Sequence, residues 1–332
     1  MKQIAIIGGG SWGTALALTL GRQGHRIRLW VFERELVDPI NRERRNPLYL
    51  PDFELPVGVQ ASNALEQALA GAELVLTVVP SHHCRAVYLA MRPHLRPDML
   101  LVSATKGIEP ETMSRMSQVV REVMTPGPPP RVAVISGPSF AREVAKGDPT
   151  AVVVASANSE IASTVQRELS GPSLRLYTNS DVAGVELGGA VKNVIAIAAG
   201  VCAGLGFGYN SLSALITRGL AEMTRLAVAC GGKKETLAGL AGMGDLVLTC
   251  TGELSRNRSV GIELGRGRKL ADIVGGMRMV AEGVMTTGAA LALARKHGVE
   301  MPIAEQVAAI LHQDKSPSDA IRELMERPLT VE

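Results

Sequence analysis

Four consecutive apolar residues, Ile4-Ala5-Ile6-Ile7, open the chain and stop at a cluster of glycines, after which a helix-favouring stretch runs over 14–20. An unbroken, β-branched run of this length predicts an inner strand with both faces covered. Similar runs bounded by Pro, Gly, Ser or charged residues recur at 26–32, 74–79, 99–104, 132–135, 151–155 and 174–177, with helix-compatible segments between them. That alternation predicts an α/β architecture, a mostly parallel sheet with helices on both faces. The segment Thr125-Pro126-Gly127-Pro128-Pro129-Pro130 cannot be helical and is expected to be a surface connection.

Past Val182 the strand-like runs cease, and apolar positions take a helical period over 184–201, 211–229, 286–297 and 303–313. A length of 332 residues exceeds what one ordinary core accommodates. Two domains are expected, 1–183 carrying a doubly wound sheet and 184–332 all helical, joined without a long linker and sharing a fixed cleft. Residues 194–208 are apolar but too short and too interrupted by glycine to span a bilayer. They read as a core helix, and no membrane insertion is expected. Lys2 and the apolar residues up to Leu20 mimic a secretory signal, but four glycines among residues 8–13 would break its helix.

The strand-then-glycine order carries the first chemistry. In Gly8-x-Gly10-x-x-Gly13, Gly8 permits a tight turn, Gly10 lets the backbone approach a pyrophosphate, and Gly13 allows helix and strand to pack closely. N–H groups at the helix start then face the phosphates, the arrangement of a Rossmann-like dinucleotide-binding domain. Glu33, twenty residues past Gly13, suits hydrogen bonding to the adenosine ribose hydroxyls, which favours NAD. Arg34 follows and can pair with the additional phosphate of NADP, so NAD or NADP both remain open. A solvated charge pair at a strand end is the plain alternative.

Composition narrows the partners. With 46% hydrophobic and 20% charged residues the chain is a globular protein, and its net charge of +3 is spread rather than clustered with aromatics, so nucleic acid is not an expected partner. A small phosphate-bearing molecule is. Cys84, Cys202, Cys230 and Cys250 show no CxxC spacing and no nearby His, which argues against a metal site or a disulfide framework and fits a reducing cytoplasm.

Ligands of such sheets bind beyond the strand ends, which singles out Pro80-Ser81, Lys106-Gly107 and Ser136-Gly137-Pro138-Ser139-Phe140-Ala141. At that edge the Lys106 ammonium can hold an anion or polarise a carbonyl, the alternative being a surface lysine. Gly137 and Ser139 offer backbone N–H groups and a hydroxyl to a substrate oxygen or phosphate, unless Ser139 simply caps the next helix. Lys192 sits inside an apolar helix among small residues, where desolvation would lower its pKa towards the range useful for proton transfer. Its apolar flanks disfavour snorkelling. Asp245, after a glycine-rich stretch, is either a functional carboxylate or a helix cap. Ser255-Arg256-Asn257-Arg258 matches the acceptor oxygens of a phosphate, or forms a solvated basic turn.

Taken in order, these segments resemble NAD(P)-dependent glycerol-3-phosphate dehydrogenase of the bacterial type. The resemblance rests on GGGSWGTALA from Gly8, NPLYLP from Asn46, VVPS from Val78, TKG from Thr105 and ISGPSFAREV from Ile135. It continues through ELGGAVKNVIAIAAG from Glu186, GLAGMGDLVLTCTGELSRNR from Gly239 and VAEG from Val280, to about Pro302. It implies reversible reduction of dihydroxyacetone phosphate to sn-glycerol 3-phosphate, supplying phospholipid synthesis, by a homodimer formed through the helical domain. It implies Lys192 as the proton donor or acceptor, with Lys106 and Asp245 completing the catalytic group. Gly137, Ser139, Ser255, Arg256 and Asn257 would join these three in contacting substrate. Ser11, Trp12, Lys106, Ala141, Arg256, Val280 and Glu282 would contact the cofactor.

One departure stands out: many relatives carry a basic residue around position 32 or 33, where this chain has Phe32-Glu33. NADH is therefore expected to serve at least as well as NADPH. Two rivals share the fold, a 6-phosphogluconate or ketopantoate reductase type and a non-catalytic NAD(H)-sensing protein. The first does not account for TKG, GPSFAREV, VKN and SRNR occurring together, and the presence of Lys106, Lys192 and Asp245 argues against the second.

Overall fold

The structure, a computed structural model, describes residues 1–277 and 281–329. The strands, in chain order, are β1 (Gln3–Ile7), β2 (Arg26–Trp30), β3 (Arg45–Asn46), β4 (Leu50–Glu54), β5 (Val59–Ser62), β6 (Leu74–Thr77), β7 (Leu100–Ser103), β8 (Arg131–Ser136), β9 (Thr150–Ala155) and β10 (Leu174–Asn179). An eight-stranded sheet runs β10-β9-β8-β7-β6-β1-β2-β5, and β3 and β4 form a separate antiparallel hairpin. Growth of the sheet reverses direction at β1, with β2 on one side and β6 on the other, both parallel to it. The sheet is mostly parallel: β9 runs antiparallel to β8, and β10 follows β9. The C-terminal ends of β1, β6, β7 and β8 therefore share one edge, where a crevice opens between β1 and β6.

Both faces of the sheet are covered, which is why its strands read as continuous apolar runs. Ile4 and Ile6 enter one core with Leu29, Leu76 and Val102, while Ala5 and Ile7 enter the other with Val75, Leu101 and Tyr88. The sequence pattern missed β5 and the hairpin. Along β5, Val59-Gln60-Ala61-Ser62, burial alternates because it is an edge strand, so it lacks the apolar run that marks the inner ones. The reversed direction of β9 was also illegible, since either direction buries the same faces.

The second half is built on one helix, Val182–Gly204. Asp181 starts it, its Oδ1 accepting from Gly184 N at 2.8 Å and its Oδ2 from Lys233 N at 2.7 Å. By length and composition this helix could cross a membrane, but 78% of its most apolar window is buried inside the protein, as expected of a core helix. It ends at Gly204, so residues 205–208 are not part of it. Helices Tyr209–Ala229, Glu282–Lys296 and Pro302–His312 correspond to the periodic segments, whereas Arg256–Gly265 and Pro317–Met325 were not anticipated because they are mostly polar.

Helix Arg256–Gly265 crosses the core helix at backbone contact. A Cβ on Gly261 would fall against the Ile197 carbonyl and 2.9 Å from Gly200 Cα, and one on Gly265 would lie 3.0 Å from Gly204 Cα. Glycines four apart on each helix thus face each other. Gly261→Ala should lose about 1–3 kcal/mol through overpacking, read as a lower denaturant midpoint at unchanged m-value; an unchanged midpoint would refute this account of the crossing.

Candidate active site

A cleft of about 590 Å³ opens at the edge formed by β1, β6, β7 and β8 and is closed from the other side by the helical half. At one end lie Gly8, Gly10, Ser11, Trp12 and Glu33, and beside them Ala141. Gly8 adopts φ +121° and a Cβ there would stand 2.6 Å from Val78 O, while a Cβ on Gly13 would strike Gly8 O. A Cβ on Gly10 meets nothing within 4 Å, so its backbone faces open cleft. This cradle fits the pyrophosphate of a dinucleotide. Arg34 is exposed and does not line the cleft. Val280 lies outside the described residues.

Opposite the glycines stand Lys106, Ser139, Lys192, Ser255, Arg256 and Asn257. Asp245, 1% exposed, lies behind the two lysines. Lys106 Nζ donates to its Oδ2 at 2.7 Å and to Gly137 O at 2.8 Å. Lys192 Nζ donates to Asp245 Oδ1 and, at 2.8 Å, to Thr249 Oγ1, which itself donates to Asp245 O at 2.6 Å. Lys192 is 5% exposed, so it does not snorkel. Burial pushes the Lys192 ammonium down to about 7, against the pull of Asp245 and with help from the positive charge of Lys106.

Two capping alternatives are settled by these contacts. Asp245 spends its carboxylate on the lysines rather than on a helix end, and Ser139 donates to Gly137 O at 2.9 Å while the following helix, Ala141–Lys146, starts at Phe140 without a side-chain cap. Ser255 does cap Arg256–Gly265, accepting from Arg258 N at 3.2 Å. Gly137 contributes a carbonyl to Lys106 and does not line the cleft. The side chain of Asn257 is engaged at both ends, Nδ2 donating to Asn193 Oδ1 at 2.9 Å and Oδ1 accepting from Gly283 N at 2.8 Å. Glu282 reaches across to Ser81, accepting from its Oγ at 2.8 Å.

Residues 3–162 match the model of the NAD-dependent glycerol-3-phosphate dehydrogenase N-terminus, and 181–322 that of the C-terminus. The chain belongs to this family. A glycerol-3-phosphate dehydrogenase [NAD(P)+] of Koribacter versatilis is 63% identical over 100% of this chain and 99% of its own length, and one of Syntrophotalea carbinolica is 55% identical over 99% of each. The crystal structure of glycerol-3-phosphate dehydrogenase from Coxiella burnetii superposes with a TM-score of 0.94 at 45% identity, covering 98% of this chain and 99% of that one. The protein is accordingly an NAD(P)-dependent oxidoreductase, and the reductase and sensor rivals are not favoured.

Sequence reasoning assigned no role to Thr249 and Asn193, which line the cleft, or to Asn46, which is buried behind the glycine loop. Thr249 stands four residues after Asp245 on one helix, a spacing that places both on one face. Asn193 and Asn46 carried no such local signal. Asn46 Nδ2 donates to Gly9 O at 2.8 Å and Thr14 Oγ1 at 2.9 Å, fully buried, tying the hairpin segment to the glycine loop. Asn46→Ala should cost about 1–3 kcal/mol of stability by removing the buried amide that serves Gly9 O and Thr14 Oγ1 and accepts from Leu48 N and Tyr49 N and weaken NADH binding, measured by thermal denaturation and fluorescence titration; unaltered affinity would show that the loop needs no such strut.

Proposed function

We propose that the dehydrogenase reversibly reduces dihydroxyacetone phosphate to sn-glycerol 3-phosphate, supplying phospholipid synthesis in the cytoplasm. The observation that carries this reading is the pair of ammonium groups on one buried carboxylate, at the end of a cleft whose other end is the glycine cradle. Gly8, Gly10, Ser11, Trp12 and Glu33 would hold NAD(H) or NADP(H), which when bound supplies or accepts the hydride. Arg256 and the start of helix Arg256–Gly265 take the substrate phosphate, since guanidinium and helix N–H groups both favour an anion. Lys106 and Lys192 face the carbonyl oxygen. As negative charge builds on that oxygen, Lys192 gives up a proton from Nζ; in the oxidative direction neutral Lys192 takes it back from the hydroxyl. Asp245 and Thr249 keep the two lysines converged.

The division of labour proposed is cofactor on residues 1–183 and substrate phosphate on 184–332, acting as a homodimer through the helical half. Support for the last comes from Phe207 and Tyr209, apolar side chains left exposed beside helix Tyr209–Ala229. Unpaired thiols, among the described residues, support a reducing compartment.

The decisive assay is NADH oxidation with dihydroxyacetone phosphate. Lys192→Ala should lower kcat by about 10²- to 10⁴-fold with little change in cofactor affinity; near-native turnover would eliminate its proposed role. Because Lys192 must be protonated to donate and neutral to accept, reduction should fall as pH rises through about 7 and oxidation should fall as pH drops through the same range. Limbs of the same sign in both directions would rule the assignment out. Arg256→Ala should raise KM for the phosphorylated substrate roughly tenfold to a hundredfold, and an unchanged KM would place the phosphate elsewhere.

A further inference from the structure

At the glycine end of the cleft the Tyr49 hydroxyl donates to Glu33 Oε1. The tyrosine is itself fixed to the glycine loop. Asn46 Oδ1 accepts from Leu48 N at 3.3 Å and Tyr49 N at 3.2 Å, Asn46 Nδ2 holds Gly9 O, and Ser11 Oγ donates to Tyr49 O at 3.2 Å. Burial and the neighbouring Glu33 and Glu35 carboxylates push the Tyr49 phenol up to about 12, so it stays a donor at neutral pH. A glutamate in the turn after a strand, as Glu33 is after β2, would otherwise rotate freely and could turn away from an incoming anion.

We propose that Tyr49 is a positioning residue for cofactor choice, holding the Glu33 carboxylate in one orientation so that the site accepts two ribose hydroxyls and repels a 2′-phosphate, selecting NADH over NADPH. The surroundings agree. Of the cations near the hairpin, Arg42 pairs with Asp38 at 3.9 Å, Arg44 with Glu54 and Arg142 with Asp52 at 2.9 Å, while Arg45 donates to the Pro51 carbonyl at 3.1 Å. Arg34 stands outside the cleft lining. Phe32, 80% exposed, lines the cleft next to Glu33 and offers an apolar face to a base. A fixed anion opposite a second anion discriminates by repulsion, which attractive contacts alone do not provide. The inference rests on the dehydrogenase reading only for the identity of the dinucleotide.

Trp12 and Trp30 line the cleft and report binding by fluorescence quenching without turnover. Dissociation constants for NADH and NADPH would be measured on the wild type, Tyr49→Phe, Glu33→Ala and the double variant, with melting temperature alongside. The wild type should bind NADH more tightly. Tyr49→Phe should narrow the NADPH/NADH ratio roughly fivefold to tenfold, the scale of one ordinary net hydrogen bond, and should change it no further in the Glu33→Ala background. An unchanged ratio in Tyr49→Phe, the full effect surviving without Glu33, or equal weakening of both cofactors with a lowered melting temperature would each overturn the proposal. Binding without any turnover of dihydroxyacetone phosphate would instead defeat the functional reading and leave the binding test to decide this one.

Discussion

The buried carboxylate of Asp245, shared by two ammonium groups, is the constraint around which the second half of the molecule is arranged. Removing three charged groups from water costs several kcal/mol per ion, and only complete pairing offsets that. Completion is visible here: Lys106 has the Gly137 carbonyl as a second acceptor, Lys192 has Thr249, and Thr249 returns its proton to the backbone of Asp245. The three groups come from the end of β7, the core helix and the short helix Asp245–Thr251, so these must approach within hydrogen-bonding reach. Glycines beside Lys192 allow it. A Cβ on Gly188 would lie 3.1 Å from the Ala241 carbonyl carbon, and one on Gly189 would collide with Ser136 Oγ.

The same cluster explains how a lysine inside a hydrophobic helix becomes useful. Burial, helped by the positive charge of Lys106, favours the neutral amine more than Asp245 favours the ammonium, and the resulting pKa of about 7 leaves Lys192 able to exchange a proton at neutral pH. A solvated lysine would not sit in that window. The amide pair Asn193 and Asn257 extends the order outward, linking the core helix beside Lys192 to the helix that carries Arg256 and to Gly283, next to Glu282. Lys192, Arg256 and Glu282, which all line the cleft, are thereby joined through one hydrogen-bonded chain.

At the other end of the cleft the organising element is a hairpin rather than an ion cluster. Asn46 bonds the glycine loop and turns the chain so that Tyr49 arrives beside Glu33. The glycine loop, which follows β1, and Glu33, which follows β2, are in this way held to each other by a third segment. Arg34, adjacent to Glu33 in sequence, falls outside this arrangement because the backbone leaves the sheet there in a short turn, Arg34–Leu36.

What the sequence determined alone were features governed by local physics. A strand, three glycines and a helix start specify a phosphate cradle because each glycine is needed for a backbone reason within six residues. A lysine amid small apolar residues announces a purpose because burying its charge is costly wherever the helix packs. The inner strands were legible for a similar reason, since two-sided burial leaves an unbroken apolar run. The tertiary structure alone decided the pairings. Asp245 is 53 residues from Lys192 and 139 from Lys106, and nothing in its neighbourhood distinguishes a helix cap from a shared counter-ion. The direction of β9, the edge strand β5 and the Tyr49 to Glu33 contact were equally hidden. Each depends on which surfaces meet once loops have closed, and apolar periodicity records that a face is buried without recording against what.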